Sequence, residues 1–224
     1  MLATTPAGFA MQRVMSREDW ARVRALRYEA MSSRGDIPPS DEHTHSDAHD
    51  LALNCATFLL LKNGQAIGST RASVTSPQRR CSLPASEIFH REVEAATSRD
   101  AAVVEASLTV AAPHAGERRS IILHLLKAHM LVCAAERAEW LIAAVRDDEI
   151  GFYRRMLNME ILSGVERCPG MATPQVLMGL QYREHAALLS RRIPHLEVTT
   201  SDEAEYAATG RIAFPPRALK QHAA

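Results

Sequence analysis

Hydrophobic positions along the 224-residue chain fall into runs of two kinds. Short runs rich in Val, Ile, Leu and Thr read as strands, and longer runs with an apolar residue every three or four positions read as helices. A strand over 11–15 is followed by Ser16-Arg17-Glu18-Asp19, where a serine precedes an acid by three residues. That spacing marks a capped helix start. The helix runs from 17 to about 33, with Trp20, Val23, Leu26 or Arg27, and Ala30 on one face, and ends at Gly35. Residues 36–50 (DIPPSDEHTHSDAHD) carry two prolines and few apolar positions, and must form a loop. Extended segments at 55–62 and 65–75 flank Asn63-Gly64, a strong hairpin signal.

Beyond a turn-like stretch, 85–96 reads as a helix and 101–111 as an apolar strand with Glu105 in its middle. Pro113 to Gly116 breaks that strand, and a long helix follows over 117–138. A buried strand at 140–145, a helix at 147–157 that Asp147 caps, and strands at 159–162 and 175–182 complete the pattern. Residues 1–182 read as one domain, and 183–224 as a C-terminal helical or irregular appendage broken by Pro194 and Pro215-Pro216. This order predicts an α/β (α+β) domain with a mixed central sheet.

Composition narrows the functional classes. With 26 basic and 26 acidic side chains, the chain lacks the basic excess of a nucleic-acid binder. The four cysteines, Cys55, Cys81, Cys133 and Cys168, are far apart and show no metal-ligand spacing, so reduced thiols are expected. The N-terminus has no basic segment followed by an unbroken apolar run, so no leader peptide is expected. The most apolar stretch, 121–135, is interrupted by His124, Lys127 and His129, too polar to span a bilayer. A soluble, cytoplasmic protein is the resulting expectation.

Glu105 is the most informative residue. Its neighbours Val103, Val104, Leu108 and Val110 are apolar, so the carboxylate is expected to be buried, and must be partnered or neutral. Such a group suits a general base near neutral pH; the alternative is a structural ion pair, for instance with Arg71. Arg71, on the second hairpin strand, is placed to clamp a carboxylate or to face solvent. Asp41, His43, His45, Asp47, His49 and Asp50 hold enough donors for a metal, but a mobile polar loop or substrate lid is the better reading. The turn 113–120 opens a helix whose amides, with Arg118 and Arg119, could meet a phosphate. His90, His124 and His129 read as core-edge or surface histidines.

The segments VEASLTVAAP and EWLIAAV, and Phe152-Tyr153 with Leu157-Asn158-Met159, are similar to those of the GNAT acyltransferase fold. More narrowly, Arg27-Tyr28, Asp47 and Asp50, Gly68-x-x-Arg71 and Glu105-x-Ser107 resemble the N-acyl amino acid synthases, relatives of the acyl-homoserine lactone (autoinducer) synthases. The resemblance covers about residues 11–182 and implies a mixed sheet with helices on both faces. It implies a cytoplasmic N-acyltransferase that moves a long-chain acyl group from acyl carrier protein, or acyl-CoA, onto the amino group of an amino acid. It implies no tightly bound cofactor and no metal.

In that frame Glu105 is the base, and Tyr153 protonates the leaving thiolate. Arg27, Asp50, Arg71 and Ser107 hold the acceptor or shape its entrance. Val110, Gly116, Arg118 and Arg119 bind the donor's pantetheine. Leu108 stands where the autoinducer synthases have an arginine, which points away from a homoserine lactone product. The turn 114–120 lacks a glycine-rich pyrophosphate loop, which favours carrier-borne pantetheine over free coenzyme A. Arg118, Arg119, Arg154 and Arg155 are the expected dock for an acidic carrier. The alternatives are a catalytically degenerate binding module on the same fold, with Glu105 and Arg71 paired structurally, and a metal enzyme using the 41–50 loop.

Overall fold

The computed structural model describes residues 8–97, 101–116 and 118–212. The first seven residues of the N-terminal reading and the Pro215-Pro216 break of the expected appendage lie outside these described residues. The elements are β1 (Phe9–Arg13), α1 (Arg17–Ser32), β2 (Cys55–Lys62), β3 (Gln65–Thr75), α2 (His90–Thr97), β4 (Val103–Ala111), α3 (Arg118–Ala135) and β5 (Trp140–Arg146). They continue with α4 (Ile150–Leu157), β6 (Glu160–Glu166), β7 (Gln175–Gln181), α5 (Tyr182–Arg192), α6 (Thr200–Thr209) and β8 (Arg211–Ile212). Ser16 caps α1 by accepting from the Asp19 amide, as its sequence position indicates. Asn63 and Gly64 both take positive φ, 51° and 82°, the backbone that a two-residue hairpin turn between right-twisted strands requires.

One mixed sheet runs in the order β6-β7-β5-β4-β3-β2-β1-β8. Its only parallel contact among the described residues is β4 with β5, and that contact is short: Val103, Val104 and Glu105 pair with Trp140, Leu141 and Ile142. Beyond Glu105 and Ile142 the two strands part, leaving a V-shaped gap that opens toward their C-terminal ends. β4 carries a bulge at the start of this gap. Ser69 pairs with Val110 and Arg71 with Ser107, so Leu108 and Thr109 together oppose Thr70. Leu108 takes a positive φ of 48° there, unusual for a residue with a branched side chain.

Strand alternation sends Arg71 and Ser73 to one face of the sheet, and Gly68, Thr70, Ala72 and Val74 to the other. The second face packs on α3, α4 and α5 through Leu125, Leu131, Met156, Leu157, Tyr182 and Leu189. Smaller apolar clusters on the first face seat α1 against Val110 and Ala112, and α2 with the 84–87 turn against Val103, Ile142 and Leu177. The polar strip of Arg71, Ser73, Glu105 and Ser107 lies between them.

Three expectations are corrected. The helix at 85–96 is a short 3-10 turn over Pro84–Glu87 followed by α2, broken at Ile88, which has φ -122° and ψ -47°; the Ala85 amide, free of any intrahelical acceptor in the first turn, donates to Glu105 Oε2 at 2.9 Å. The long helix stops at Ala135, where Arg137 takes a positive φ of 50° and the chain turns into β5. The first strand covers Phe9–Arg13, with Val14 donating instead to the Thr57 carbonyl. No packing gap marks residue 183: Leu189, Ile193, Leu196 and Ile212 belong to the main core, and β8 pairs with β1. Among the described residues no helix is long and apolar enough to cross a membrane.

Candidate active site

The 36–50 loop is held to the sheet by a buried ion network. Arg27, on the inner face of α1, offers one nitrogen to both oxygens of Asp50, each at 2.8 Å, and reaches Thr57 Oγ1 at 3.4 Å. Arg71 clamps Asp47 through two nitrogens, at 2.5 and 2.9 Å, touches Asp50 at 3.1 Å, and donates from Nε to Ser107 Oγ at 3.1 Å. Two carboxylates and two guanidiniums thus pair their charges where an unpaired one would cost several kcal/mol, although Arg27 Nε meets no hydrogen-bond partner among the described residues. Burial lowers Arg27 from its ordinary value. Burial acts on Arg71 in the same direction, but the bonds from Asp47 and the charge of Asp50 outweigh it and leave that guanidinium raised. Burial pushes Asp47 up, yet its bond to Arg71 holds it below the usual carboxylate range.

These contacts correct the expectation of a mobile lid, at least for residues 47–50, whose short 3-10 turn is also closed by a capping box between Asp47 and Asp50. The same acids are engaged by arginines and His49 bonds Glu87 at 2.8 Å, and no cluster of metal-ligating side chains forms among the described residues. The ion pair with Arg71, the alternative reading of Glu105, does not form among the described residues. Arg71 is used by Asp47, Asp50 and Ser107, and among the described residues the one hydrogen bond to Glu105 comes from the Ala85 amide.

Glu105 is 1% exposed and sits on the last paired rung before β4 and β5 part. Burial pushes its carboxyl up to about 7, against the lowering effect of the Ala85 amide and of Arg71. Across the β3 rung stands Ser73, whose hydroxyl lies 2.9 Å from Cys55 Sγ. Burial raises that thiol, so it stays protonated near neutral pH.

Two cavities meet at the gap. One, of about 80 Å³ on the α1 side, is lined by Ser107, Leu108, Thr109, Val110, Ala144 and Tyr153 among others. The second, of about 330 Å³ between α3 and α4, is lined by Thr109, Arg118, Arg119, Ile122, Phe152 and Tyr153 among others. Thr109, Glu149 and Tyr153 line both. Burial, and then the nearby charge of Glu149, raise the Tyr153 phenol above its ordinary value, so it carries its proton at neutral pH.

The mouth of the gap is ringed by charge. Arg146 bonds Asp148 at 2.9 and 2.7 Å and buried Asp36 at 2.6 Å, and Arg34 and Arg118 both reach Glu149, at 3.2 and 2.8 Å. Arg34 also pairs with Asp36. Arg118 therefore stands at the larger cavity already paired with Glu149, whereas among the described residues Arg119 makes only a weak contact to Met156 Sδ at 3.7 Å.

Of the residues singled out from sequence, Ser107, Val110, Tyr153, Arg118 and Arg119 line the cavities. Glu105 and Arg71 lie immediately behind Ser107, while Arg27 and Asp50, 0% and 8% exposed, brace the loop from beneath. Gly116, with a φ of 72°, turns the chain into α3 and lines neither cavity. The sequence reading missed Thr70, Thr109 and His129 as site neighbours. His124 and His129, expected at the core edge or surface, are 1% and 0% exposed.

Comparison with known proteins bears on this arrangement. Residues 22–181, well over half the chain, match the model of the family described as N-acyl amino acid synthase FeeM. The chain is similar in structure to FeeM, an N-acyl amino acid synthase from uncultured soil microbes, at 13% identity and a TM-score of 0.65 over 82% of this chain and 97% of that one. It is also similar to BjaI, a CoA-dependent acyl-homoserine lactone synthase, at 13% identity and a TM-score of 0.60 over 84% and 90% of the two chains. The acyl-homoserine lactone synthase LasI gives 15% identity and a TM-score of 0.57 over 80% and 93%. No curated protein matches at a significant level. At these identities the structural likeness speaks to the fold, which is that of the GNAT-like acyltransferases.

Proposed function

The chain belongs to the N-acyl amino acid synthase FeeM family, and from that premise we propose that this acyltransferase moves a long-chain fatty acyl group from acyl carrier protein to the amino group of an amino acid. The observation that carries the reading is Glu105, a buried carboxyl raised to about 7 at the apex of the gap between β4 and β5. An ammonium group must lose a proton before its nitrogen can attack a thioester, and a base titrating near 7 takes that proton at physiological pH.

The remaining steps follow from the lining. Glu105 removes the first proton, directly or through one water, while Asp47, Arg71 and Ser107 shape the acceptor's place beside it. The nitrogen attacks the thioester carbon, and the carbonyl electron pair moves onto oxygen near the backbone amides of the β4 bulge. As the C–S bond breaks the pair returns, the protonated Tyr153 phenol supplies the leaving thiolate with a proton, and the phenol recovers one from the attacking nitrogen. Arg27 and Asp50 act from beneath, by fixing Asp47 and Arg71.

For the donor, the α3 start presents Arg118 and Arg119 beside the 330 Å³ cavity, with Arg154 and Arg155 exposed on α4. This surface fits an acidic carrier bearing a single phosphate. The test is transfer from hexadecanoyl–acyl carrier protein to a panel of amino acids, read by mass spectrometry of the acyl amides. The expected result is amide from the carrier-borne donor, lost in Glu105→Gln. Amide from hexadecanoyl-CoA alone would replace the carrier with coenzyme A as donor, and no amide from either donor would overturn the reading.

A further inference from the structure

Behind the gap, on the α3 face of the sheet, three polar side chains form one line: buried His129 and Thr70, and half-buried Thr109. His129 Nε2 lies 2.9 Å from Thr70 Oγ1 and 3.3 Å from the Arg71 carbonyl oxygen. Thr70 Oγ1 lies in turn 2.7 Å from Thr109 Oγ1 and 3.5 Å from the Ser107 carbonyl oxygen. Thr109 sits in the bulge and lines both cavities. The reaction as proposed above uses neither His129 nor either threonine. A histidine buried only for structure normally satisfies both nitrogens, yet Nδ1 of His129 meets no hydrogen-bond partner among the described residues.

The chemistry of the groups sets the direction of the line. A carbonyl only accepts, so the imidazole proton that faces Arg71 and Thr70 is on Nε2. Burial lowers this ring to about 4, which leaves it neutral with that single N–H. Thr70 Oγ1 accepts from it and keeps one proton to donate. The nearer acceptor is Thr109 Oγ1, at 2.7 Å rather than 3.5 Å. Thr109 has then accepted, and its own hydroxyl proton is left for whatever occupies the gap.

We propose that Thr109 is a catalytic residue that donates a hydrogen bond to the thioester carbonyl of the acyl donor, and that Thr70 and His129 are positioning residues that aim its proton. The inference rests on the acyl-transfer reading above. While the N–C bond forms and the carbonyl pair moves onto oxygen, Thr109 holds that oxygen. When the C–S bond breaks the pair returns to the carbonyl, and Thr109 has given up no proton. The donor is fixed before charge develops, so it costs no reorganisation at the moment of reaction.

The test uses the full chain with hexadecanoyl–acyl carrier protein and an accepted amino acid. Thr109→Val, close in shape, lowers kcat about 100-fold while the donor KM moves little, since removal of one such donor typically costs about 10²–10³ in kcat. Thr109→Ser keeps most of the rate. His129→Leu slows the wild-type background but adds nothing in the Thr109→Val background, and His129→Gln, which supplies an N–H, recovers rate. Should His129→Leu not fold, Thr70→Val takes its place in the cycle. Wild-type kcat in Thr109→Val, or a His129 effect that survives undiminished in that background, overturns the proposal. If wild type transfers nothing, the acyl-transfer reading fails instead. The infrared carbonyl stretch of bound hexadecanoyl-pantetheine then decides: a lower frequency in wild type than in Thr109→Val supports the hydrogen bond, and equal frequencies overturn it.

Discussion

Glu105 shows how one carboxyl ties stability to pH. Its folded value, about 7, lies above the ordinary 4.5, so the folded state binds the proton more tightly than the unfolded chain does. Stability is therefore fullest below 4.5 as far as this group is concerned, and falls as pH rises from there through 7. The loss amounts to about 3 kcal/mol at most, from roughly 1.4 kcal/mol per pKa unit. Glu105→Gln keeps an acceptor for the Ala85 amide and removes the charge, so denaturant melts should show the variant more stable than wild type at pH 8 and little different at pH 4.5. Catalysis runs the other way: wild-type kcat/KM should rise with pH through about 7, and the variant should lose that limb. Glu105 was legible in the sequence because a carboxylate inside an apolar strand is conspicuous. His129 was not, since nothing in helical spacing reveals that Thr70 and Thr109, 59 and 20 positions away, would lie beneath it.

At the scale of elements, local chemistry and tertiary demand divide the chain between them. The bounds of β2 and β3 were legible because the Asn63-Gly64 turn joins them, but the bulge at Leu60 and Leu61 that shifts their register was not. The 84–97 segment was not legible, because nothing in its helix-like residues marks the break at Ile88 between the 3-10 turn and α2. The bulge in β4 was equally hidden: Leu108 has no turn-forming character, and its positive φ is imposed by the surrounding sheet. Close contact between β3 and α3 makes a further prediction. A Cβ on Gly68 would lie 2.7 Å from Ile121 Cγ2, 3.1 Å from Leu125 Cδ1 and 3.2 Å from the Val110 carbonyl oxygen. The last is backbone and cannot move aside without disturbing the gap. Gly68→Ala should cost about 1–3 kcal/mol in chemical denaturation, as overpacking of a tight interior does.

At the scale of the molecule, the neutral total of 26 basic and 26 acidic groups resolves into local structure. Asp36, Asp47 and Asp50 of the 36–50 loop meet Arg27, Arg34, Arg71 and Arg146, and Arg119, Arg154 and Arg155 remain exposed on α3 and α4. The C-terminal helices could not be assigned from sequence because their apolar residues are sparse. Their place is fixed by long-range contacts such as buried Lys127, which bonds the Glu197 carbonyl and, at 3.1 Å, Asp202. The gap itself has a kinetic consequence. Its two cavities meet at Thr109, Glu149 and Tyr153, so on the proposed acyl-transfer reading donor and acceptor would each have a separate seat, and neither would have to leave before the other arrives. Both substrates would then occupy the enzyme together at the moment of transfer. Double-reciprocal plots of rate against one substrate, at several fixed levels of the other, should give intersecting lines; parallel lines would mean that the acyl group is first handed to the protein itself.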